Sequence, residues 1–175
     1  DHVAGWFGTA WAGGVEVPVN TDYKGTFLEH ILKESGASVL VVADRWLDRL
    51  VPLDLPDLRH VVVVGSEPSA ELSGVTTHQL AEIESHDPIA PVPRTERDLA
   101  YILYTSGTTG PSKGVMHSGG SALWTAKVWV DMMQLTEEDV AYSMLPLFHV
   151  TARSAATTAN MWAGGATVLR SRFTA

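Results

Sequence analysis

A segment rich in glycine and hydroxyl residues, directly after an apolar run, constrains this chain more than any other feature. Residues 104–115 read YTSGTTGPSKGV, and residues 99–103 before them read LAYIL. The apolar run is typical of a buried strand. The glycines permit a tight bend in which successive backbone N–H groups point into one concavity, and such a concavity binds anions. The segment therefore predicts a polyphosphate-binding loop that follows a strand.

The side chains of the segment supply further donors for phosphate. Four hydroxyl residues lie between positions 105 and 109, and Lys113 adds a compact positive charge. The segment is not a Walker loop, because Ser112 rather than glycine precedes the lysine. A flexible surface linker is the alternative reading, since clusters of Gly, Ser and Thr usually mark loops. The apolar segments on both sides favour the phosphate loop.

This segment resembles the phosphate loop of the adenylate-forming enzymes, which include acyl- and aryl-CoA synthetases, luciferases and peptide-synthetase adenylation domains. Residues 13–20, which read GGVEVPVN, are similar to an early segment of that family. Residues 145–149, which read LPLFH, are similar to the Pro-Leu-Phe-His segment of acyl-CoA synthetases. The resemblance covers essentially the whole chain. Its finer match is nearest to synthetases of the crotonobetaine/carnitine-CoA ligase type.

The resemblance implies a parent protein that is an ATP-dependent acid–thiol ligase. A carboxylate attacks the α-phosphorus of ATP to form an acyl-adenylate and pyrophosphate, and coenzyme A then displaces AMP. Lys113 is expected to be catalytic by stabilising the leaving pyrophosphate. Magnesium is expected with ATP, and Thr105 is its expected protein ligand. The nucleotide-binding residues implied by the family are Thr105, Ser106, Gly107, Thr108, Thr109, Gly110 and Lys113.

The 145–149 segment bears on the carboxylic acid. A single histidine after apolar residues is more often structural, but the resemblance assigns Phe148 and His149 to substrate binding. Amino-acid-activating relatives place an aspartate after the phenylalanine, whereas this chain has His149 there. An unpaired ammonium is costly to bury, so a fatty, aryl or other uncharged-tail acid is expected. Arg153 points either at the pocket or at solvent, and solvent is favoured.

Composition excludes several other classes of protein. The net charge is −8 with no cluster of Lys or Arg, which argues against nucleic acid and anionic membrane surfaces as partners. There is no cysteine, so disulfides and thiolate catalysis are excluded. No apolar run approaches the ~20 residues of a membrane span. The sequence thus predicts a cytoplasmic protein with a small-molecule carboxylic acid as its partner, and leaves the oligomeric state open.

Helix and strand signals alternate along the chain and predict an α/β fold of layered mixed sheets with flanking helices, as an incomplete N-terminal adenylation domain. One α/β subdomain is expected over about 1–118, ending with the phosphate loop, and a second is expected to start over about 119–175. Strands are predicted at 15–19 and 38–43, the latter buried on both faces. Between these strands a helix is expected with a capping box of Thr26 and Glu29, a buried face that includes Phe27 and a C-terminal cap at Gly36. Another helix is expected over 121–135, beyond the loop. The six tryptophans are expected in the core.

The chain begins at Asp1 inside a helical pattern, and it is interpreted as a piece of a longer protein. The family's adenine-binding Thr-Glu segment, ribose-binding aspartate, C-terminal domain and catalytic lysine normally come later. The 175 residues alone are therefore expected to be inactive. Two alternatives stay open at this stage: a truncated, non-catalytic nucleotide-binding protein, and an adenylating enzyme whose acceptor is not coenzyme A.

Overall fold

The computed structural model describes residues 2–66, 70–105 and 111–170. The fold is α/β with small sheets and flanking helices, as predicted. The chain divides into two compact units, and each is described by itself. The first comprises Asp1–Gly13, Val19–Val92 and Tyr104–Gly114, and the second comprises Gly14–Pro18, Pro93–Leu103 and Val115–Ala175.

The first unit is built on a parallel sheet of three strands in the order β1-β2-β3. Two helices precede this sheet, a 3-10 helix follows β1, and a short helix follows β3. In chain order the elements are α1 His2–Trp11, α2 Gly25–Glu34, β1 Val39–Ala43, the 3-10 helix Asp44–Arg49, β2 His60–Val64, β3 Thr76–Gln79 and α3 Leu80–Glu84.

The core of the first unit lies between α2, the 3-10 helix and β2. Leu28 and Leu32 lie one helical turn apart on α2 and are buried against Val61 and Val63 of the central strand. Strand β1 was expected to be buried on both faces, and this prediction was wrong. Its residues alternate between the two faces, so Leu40 and Val42 pack on the core while Val39 and Val41 are about half exposed.

The start of α2 also differs from its sequence signal. A capping box of Thr26 and Glu29 was predicted, but the helix begins at Gly25 and its N-cap is Lys24, which makes no side-chain capping bond. The chain thus enters the helix before Thr26 can act as its cap, and Phe27 is 65% exposed instead of buried. The C-terminal prediction was correct, since Gly36 follows the helix with a φ of +61°.

The second unit contains two sheets of two strands each. Strand β4 pairs with β5, and β6 pairs in parallel with β7. The final residues of β4 and the first residues of β5 belong to the first unit. The elements are β4 Leu99–Thr105, β5 Lys113–Ser118, α4 Gly119–Met133, β6 Val140–Ser143, a π-helix Ala152–Thr158, α5 Ala159–Ala163 and β7 Ala166–Leu169.

Two sequence predictions are corrected in this unit. The helix expected over 121–135 is confirmed as α4, but the expected strand–loop–helix order is not, because residues 113–118 pair with β4 as β5 before α4 begins. Ser118 then caps α4 by accepting a hydrogen bond from the Ser121 N–H at 3.2 Å. The strand expected over 15–19 is reduced to an isolated bridge, in which Glu16 pairs with Tyr101.

The tryptophans divide between core and surface. Trp6 is buried, as predicted, but Trp11, Trp124 and Trp162 are each more than half exposed in the described structure, which contradicts their assignment to the core. The spacing of apolar residues could not show how much of each helix face this chain covers. None of the helices in the described ranges is both long enough and apolar enough to cross a bilayer.

Candidate functional site

Strands β4 and β5 position the two ends of the predicted phosphate loop. Thr105 is the last residue of β4 and Lys113 is the first residue of β5. The Thr105 hydroxyl donates a hydrogen bond to the main-chain oxygen of Lys113 at 3.4 Å, so the structure brings these two predicted residues together. The other predicted nucleotide-binding residues lie outside the described residues, and their assignment stays a prediction. They are Ser106, Gly107, Thr108, Thr109 and Gly110.

The side chain of Lys113 is exposed at this position. Within the described ranges, no carboxylate lies within ion-pair distance of its ammonium group. Its charge is therefore not neutralised by the described part of the protein. A lysine in this state can interact with an anionic ligand as a point charge.

Helix α2 contacts the chain directly before Lys113. The Nε2 atom of His30 lies 2.9 Å from the carbonyl oxygen of Ser112 and 3.1 Å from Oε2 of Glu34. Both oxygens accept hydrogen bonds, so Nε2 carries the hydrogen and donates it. No local sequence pattern predicts this contact, because the two residues are 82 positions apart.

The opposite flank of the predicted loop is also bound to Glu34. Burial, the charge of Glu34 and the hydrogen bond between Glu34 and the phenol together raise the pKa of Tyr104 to about 12, and burial is the largest of these causes. The phenol is therefore protonated at neutral pH. Glu34 thus contacts one flank directly through Tyr104 and the other through His30 and Ser112.

The predicted acid-binding residues lie in a turn before the π-helix, which we call the 146–149 turn. The N–H of His149 donates to the carbonyl oxygen of Pro146 at 2.9 Å and closes the turn. The Nδ1 atom of His149 accepts a hydrogen bond from the Thr151 N–H at 3.4 Å. The side chain of His149 is exposed and that of Phe148 is half-buried.

Arg153 does not point at solvent, and this prediction was wrong. Its side chain is only 3% exposed and forms an ion pair with Glu16, which is 14% exposed. Nη1 lies 3.1 Å from Oε1 of the glutamate, and Nη2 donates to Oε2. One signal for the pair was present in the sequence. The segments around Glu16 and Arg153 are each largely apolar and each carry a single charge, and the two charges are opposite.

Two aromatic rings lie beside this ion pair. The Arg153 guanidinium carbon lies 5.1 Å from the ring centroid of Tyr101, and the Tyr101 ring stacks on His117 with centroids 4.6 Å apart. Burial raises the pKa of Tyr101. Burial, together with the nearby Arg153 charge, lowers the pKa of His117. His117 is therefore neutral at pH 7, which avoids a second positive charge beside the arginine.

The described residues offer few side chains that could bind a metal ion. No group of three His, Cys, Asp or Glu side chains with suitable geometry occurs in the described part of the chain. The Thr105 hydroxyl donates its hydrogen to a carbonyl, so the lone pairs of its oxygen can accept a hydrogen bond or bind a cation. Magnesium prefers such hard oxygen ligands and usually keeps several waters, so a single hydroxyl fits it as one ligand among others.

Comparison with known proteins places these features in a family. Residues 1–175 match the AMP-binding enzyme family. A 3-[(3aS,4S,7aS)-7a-methyl-1,5-dioxo-octahydro-1H-inden-4-yl]propanoyl:CoA ligase of Rhodococcus jostii (strain RHA1) is 32% identical over 177 residues, which cover 85% of this chain and 34% of that protein.

Two solved structures share the fold. An anthranilate CoA ligase in complex with anthranoyl-AMP gives a TM-score of 0.84 at 27% identity, covering 95% of this chain and 32% of that chain. A long-chain-fatty-acid-CoA ligase from Archaeoglobus fulgidus gives a TM-score of 0.84 at 29% identity, and the match covers 99% of this chain and 34% of that chain. The chain therefore spans about a third of the length of these proteins.

Proposed function

Because the chain belongs to the AMP-binding enzyme family, we propose that it is part of an ATP-dependent acid–thiol ligase. In this proposal the whole protein converts a carboxylic acid to an acyl-adenylate and then transfers the acyl group to coenzyme A. The family match extends over residues 1–175, and the similar proteins include several CoA ligases. The first subdomain of the domain is proposed to end near residue 118, and the protein is proposed to be cytoplasmic.

One observation supports this proposal most strongly. Two paired strands hold Thr105 and Lys113 together at the ends of the glycine-rich segment, and the lysine is exposed without a described carboxylate partner. Its ammonium group would bind the β- and γ-phosphates of ATP. Phosphoryl and adenylyl transfer require charge stabilisation more than covalent catalysis, so the same charge would stabilise the departing pyrophosphate. The hydroxyl of Thr105 would be one ligand of the magnesium ion that accompanies ATP.

The 146–149 turn is proposed to position the acid. The His149 ring is exposed, and the half-buried Phe148 offers an apolar surface beside it. His149 would orient the carboxylate and would not act as an acid or base. The nearby cation, Arg153, is already paired with Glu16. An acid with an uncharged fatty or aryl tail therefore fits this turn better than an amino acid, whose ammonium group would have no carboxylate partner there.

The test is an ATP–pyrophosphate exchange assay on the complete protein that contains this chain. A panel of fatty, aryl and betaine-type acids is compared, since the finer resemblance to carnitine-type ligases stays a prediction. Lys113→Ala should slow exchange by about 10²-fold, because the variant loses a charge that stabilises the leaving group. Lys127→Ala is the matched control, since Lys127 is also exposed but forms an ion pair with Asp131 on α4.

The outcomes separate the competing functions. Carboxylate-dependent exchange that is followed by acyl-CoA formation supports the ligase. Exchange without transfer to coenzyme A would favour another acceptor, and nucleotide binding without exchange would favour a non-catalytic protein. Equal rates for Lys113→Ala and the wild type would remove Lys113 from the site.

A further inference from the structure

We propose that Glu16 and Arg153 are positioning residues that hold the 146–149 turn in the geometry needed to bind the acid. This proposal rests on the proposed function for its substrate, but its structural part can be tested without activity. The pair is buried, joins residues 137 positions apart and was assigned no role by the resemblance. Neither residue is proposed to contact the reacting atoms.

Arg153 contacts the turn at two points. Its backbone N–H donates to the carbonyl oxygen of His149 at 3.2 Å. Its Nη1 atom lies 3.5 Å from the carbonyl oxygen of Leu147, a weak contact made by the same nitrogen that binds Glu16. The guanidinium therefore constrains the main chain before Phe148, and the Arg153 backbone N–H constrains it after Phe148. A displaced guanidinium would release one of the two contacts.

Glu16 provides a fixed support for the arginine. Its backbone N–H donates to the carbonyl oxygen of Ala100 at 3.1 Å, and its own carbonyl accepts from the Ile102 N–H at 2.9 Å. These two bonds fix Glu16 against strand β4. The bidentate pair links the position of Arg153 to that of the strand, because both terminal guanidinium nitrogens, Nη1 and Nη2, bind the carboxylate. The stacked Tyr101 ring limits movement of the arginine on another side.

Stability alone does not account for the pair. A buried ion pair gives little net stabilisation compared with apolar side chains of similar volume, because both charges must be removed from water. The pair instead fixes orientation, because the planar guanidinium forms two parallel hydrogen bonds only when the carboxylate lies in one arrangement. That property suits a support for a turn that must present His149 and Phe148 in one orientation.

The first experiment measures amide hydrogen exchange in the 175-residue chain. The key variant is the double substitution Glu16→Gln with Arg153→Met, which leaves no buried charge. Asp131→Asn is the control, because it breaks an exposed ion pair in the same unit. The proposal expects the His149 and Arg153 amides to exchange about tenfold faster in the double variant at matched global stability, with no change in the control.

The second experiment measures steady-state kinetics of the complete protein. The double variant should raise the KM for the acid about tenfold and leave the KM for ATP within about twofold. Arg153→Lys should not restore the wild-type KM, because an ammonium cannot form the bidentate pair.

Unchanged exchange at the turn would overturn the proposal, as would equal changes in both KM values. If wild-type protein shows no adenylation, the proposed function fails, but the exchange result still decides whether the pair holds the turn. Either single variant is expected to fold less well than the double variant, so the double variant decides the case if the single variants are unfolded.

Discussion

Residues 104–105 and 112–113 in the first unit and residues 146–153 in the second are both tied to their own unit, but by different chemistry. The flanks of the predicted phosphate loop are held by His30 and Glu34, whose side chains are 36% and 47% exposed. The 146–149 turn is held through Arg153 and Glu16, whose side chains are 3% and 14% exposed. The first region thus relies on hydrogen bonds within reach of water, and the second relies on a buried ion pair.

The two regions differ in how firmly they are held. A hydrogen bond that competes with water contributes about 1 kcal/mol, and its loss leaves groups that water can solvate. Removing one partner of a buried ion pair costs about 3–5 kcal/mol, because a charge remains buried without its partner. The flanks of the loop are therefore expected to be held less firmly than the turn.

The largest expected effect tests the buried pair. Arg153→Met should lower the free energy of unfolding by about 3 kcal/mol or more, because it removes the guanidinium that pairs with the largely buried Glu16 carboxylate. Urea unfolding of the 175-residue chain measures this. The double variant with Glu16→Gln should lose clearly less than Arg153→Met alone. A loss below about 1 kcal/mol in the single variant would show that water reaches the pair and would remove the contrast between the two regions.

A smaller loss is expected in the first region. His30→Ala removes the donor to the Ser112 carbonyl and should lower the free energy of unfolding by about 1 kcal/mol, because water can replace the imidazole. His86→Ala, just after α3, is a control with a similar contact, since its ring also lies near a main-chain oxygen. Nitrogen-15 NMR should show hydrogen on Nε2 of His30. A loss as large as that of Arg153→Met would contradict the comparison.

Alkaline pH should affect the first region through Tyr104. Its pKa in the folded protein is raised to about 12, above the ordinary value of about 10. A raised pKa means that the contribution to stability is complete below about pH 10 and is lost as the pH rises towards 12. Tyr104→Phe should therefore show a shallower loss of stability over this interval in urea titrations. Parallel curves for the variant and the wild type would argue against burial of the phenol and its contact with Glu34.

Acidic pH should have the smallest effect, and it concerns the second region. Burial and the Arg153 charge lower the pKa of His117 in the folded protein. A lowered pKa means that its contribution is complete above the ordinary value of about 6.5 and is lost as the pH falls through the folded value. His117→Gln should flatten the decline of stability just below pH 6.5. An unchanged slope would show that the stacked histidine is solvated in both charge states.

Local patterns predicted some of this molecule and failed for the rest for a physical reason. The run 99–103 forms strand β4, and the glycine after α2 ends that helix, because both depend on neighbouring residues. The contacts that organise the site join distant residues. Ser112 contacts His30, which is 82 positions away in the sequence, and Arg153 contacts Glu16, which is 137 positions away. No local propensity encodes such pairs.

The same limit explains β5 and the exposed tryptophans. Residues 113–118 have a mixed composition with two glycine or serine positions, and pairing with β4 makes them a strand. Helical spacing places Trp124 on a defined face of α4 but does not say whether anything covers that face. The predicted roles of Lys113, Phe148 and His149 came from the family resemblance, and they stay predictions until the assays are done.

The π-helix after the 146–149 turn has a consequence for engineering. Thr157 donates its hydroxyl hydrogen to the Ala152 carbonyl five residues earlier, so a side-chain hydrogen bond spans one turn of the wide π-helical coil. Each residue of an ordinary α-helix advances the chain by about 100° around the axis. A turn closed between residues five apart holds one residue more than an α-helical turn, so deleting one residue from it would restore ordinary winding and shift the register of the remaining residues of the coil. Arg153 lies within this coil, so the number of residues in the coil helps to set which side chain faces Glu16.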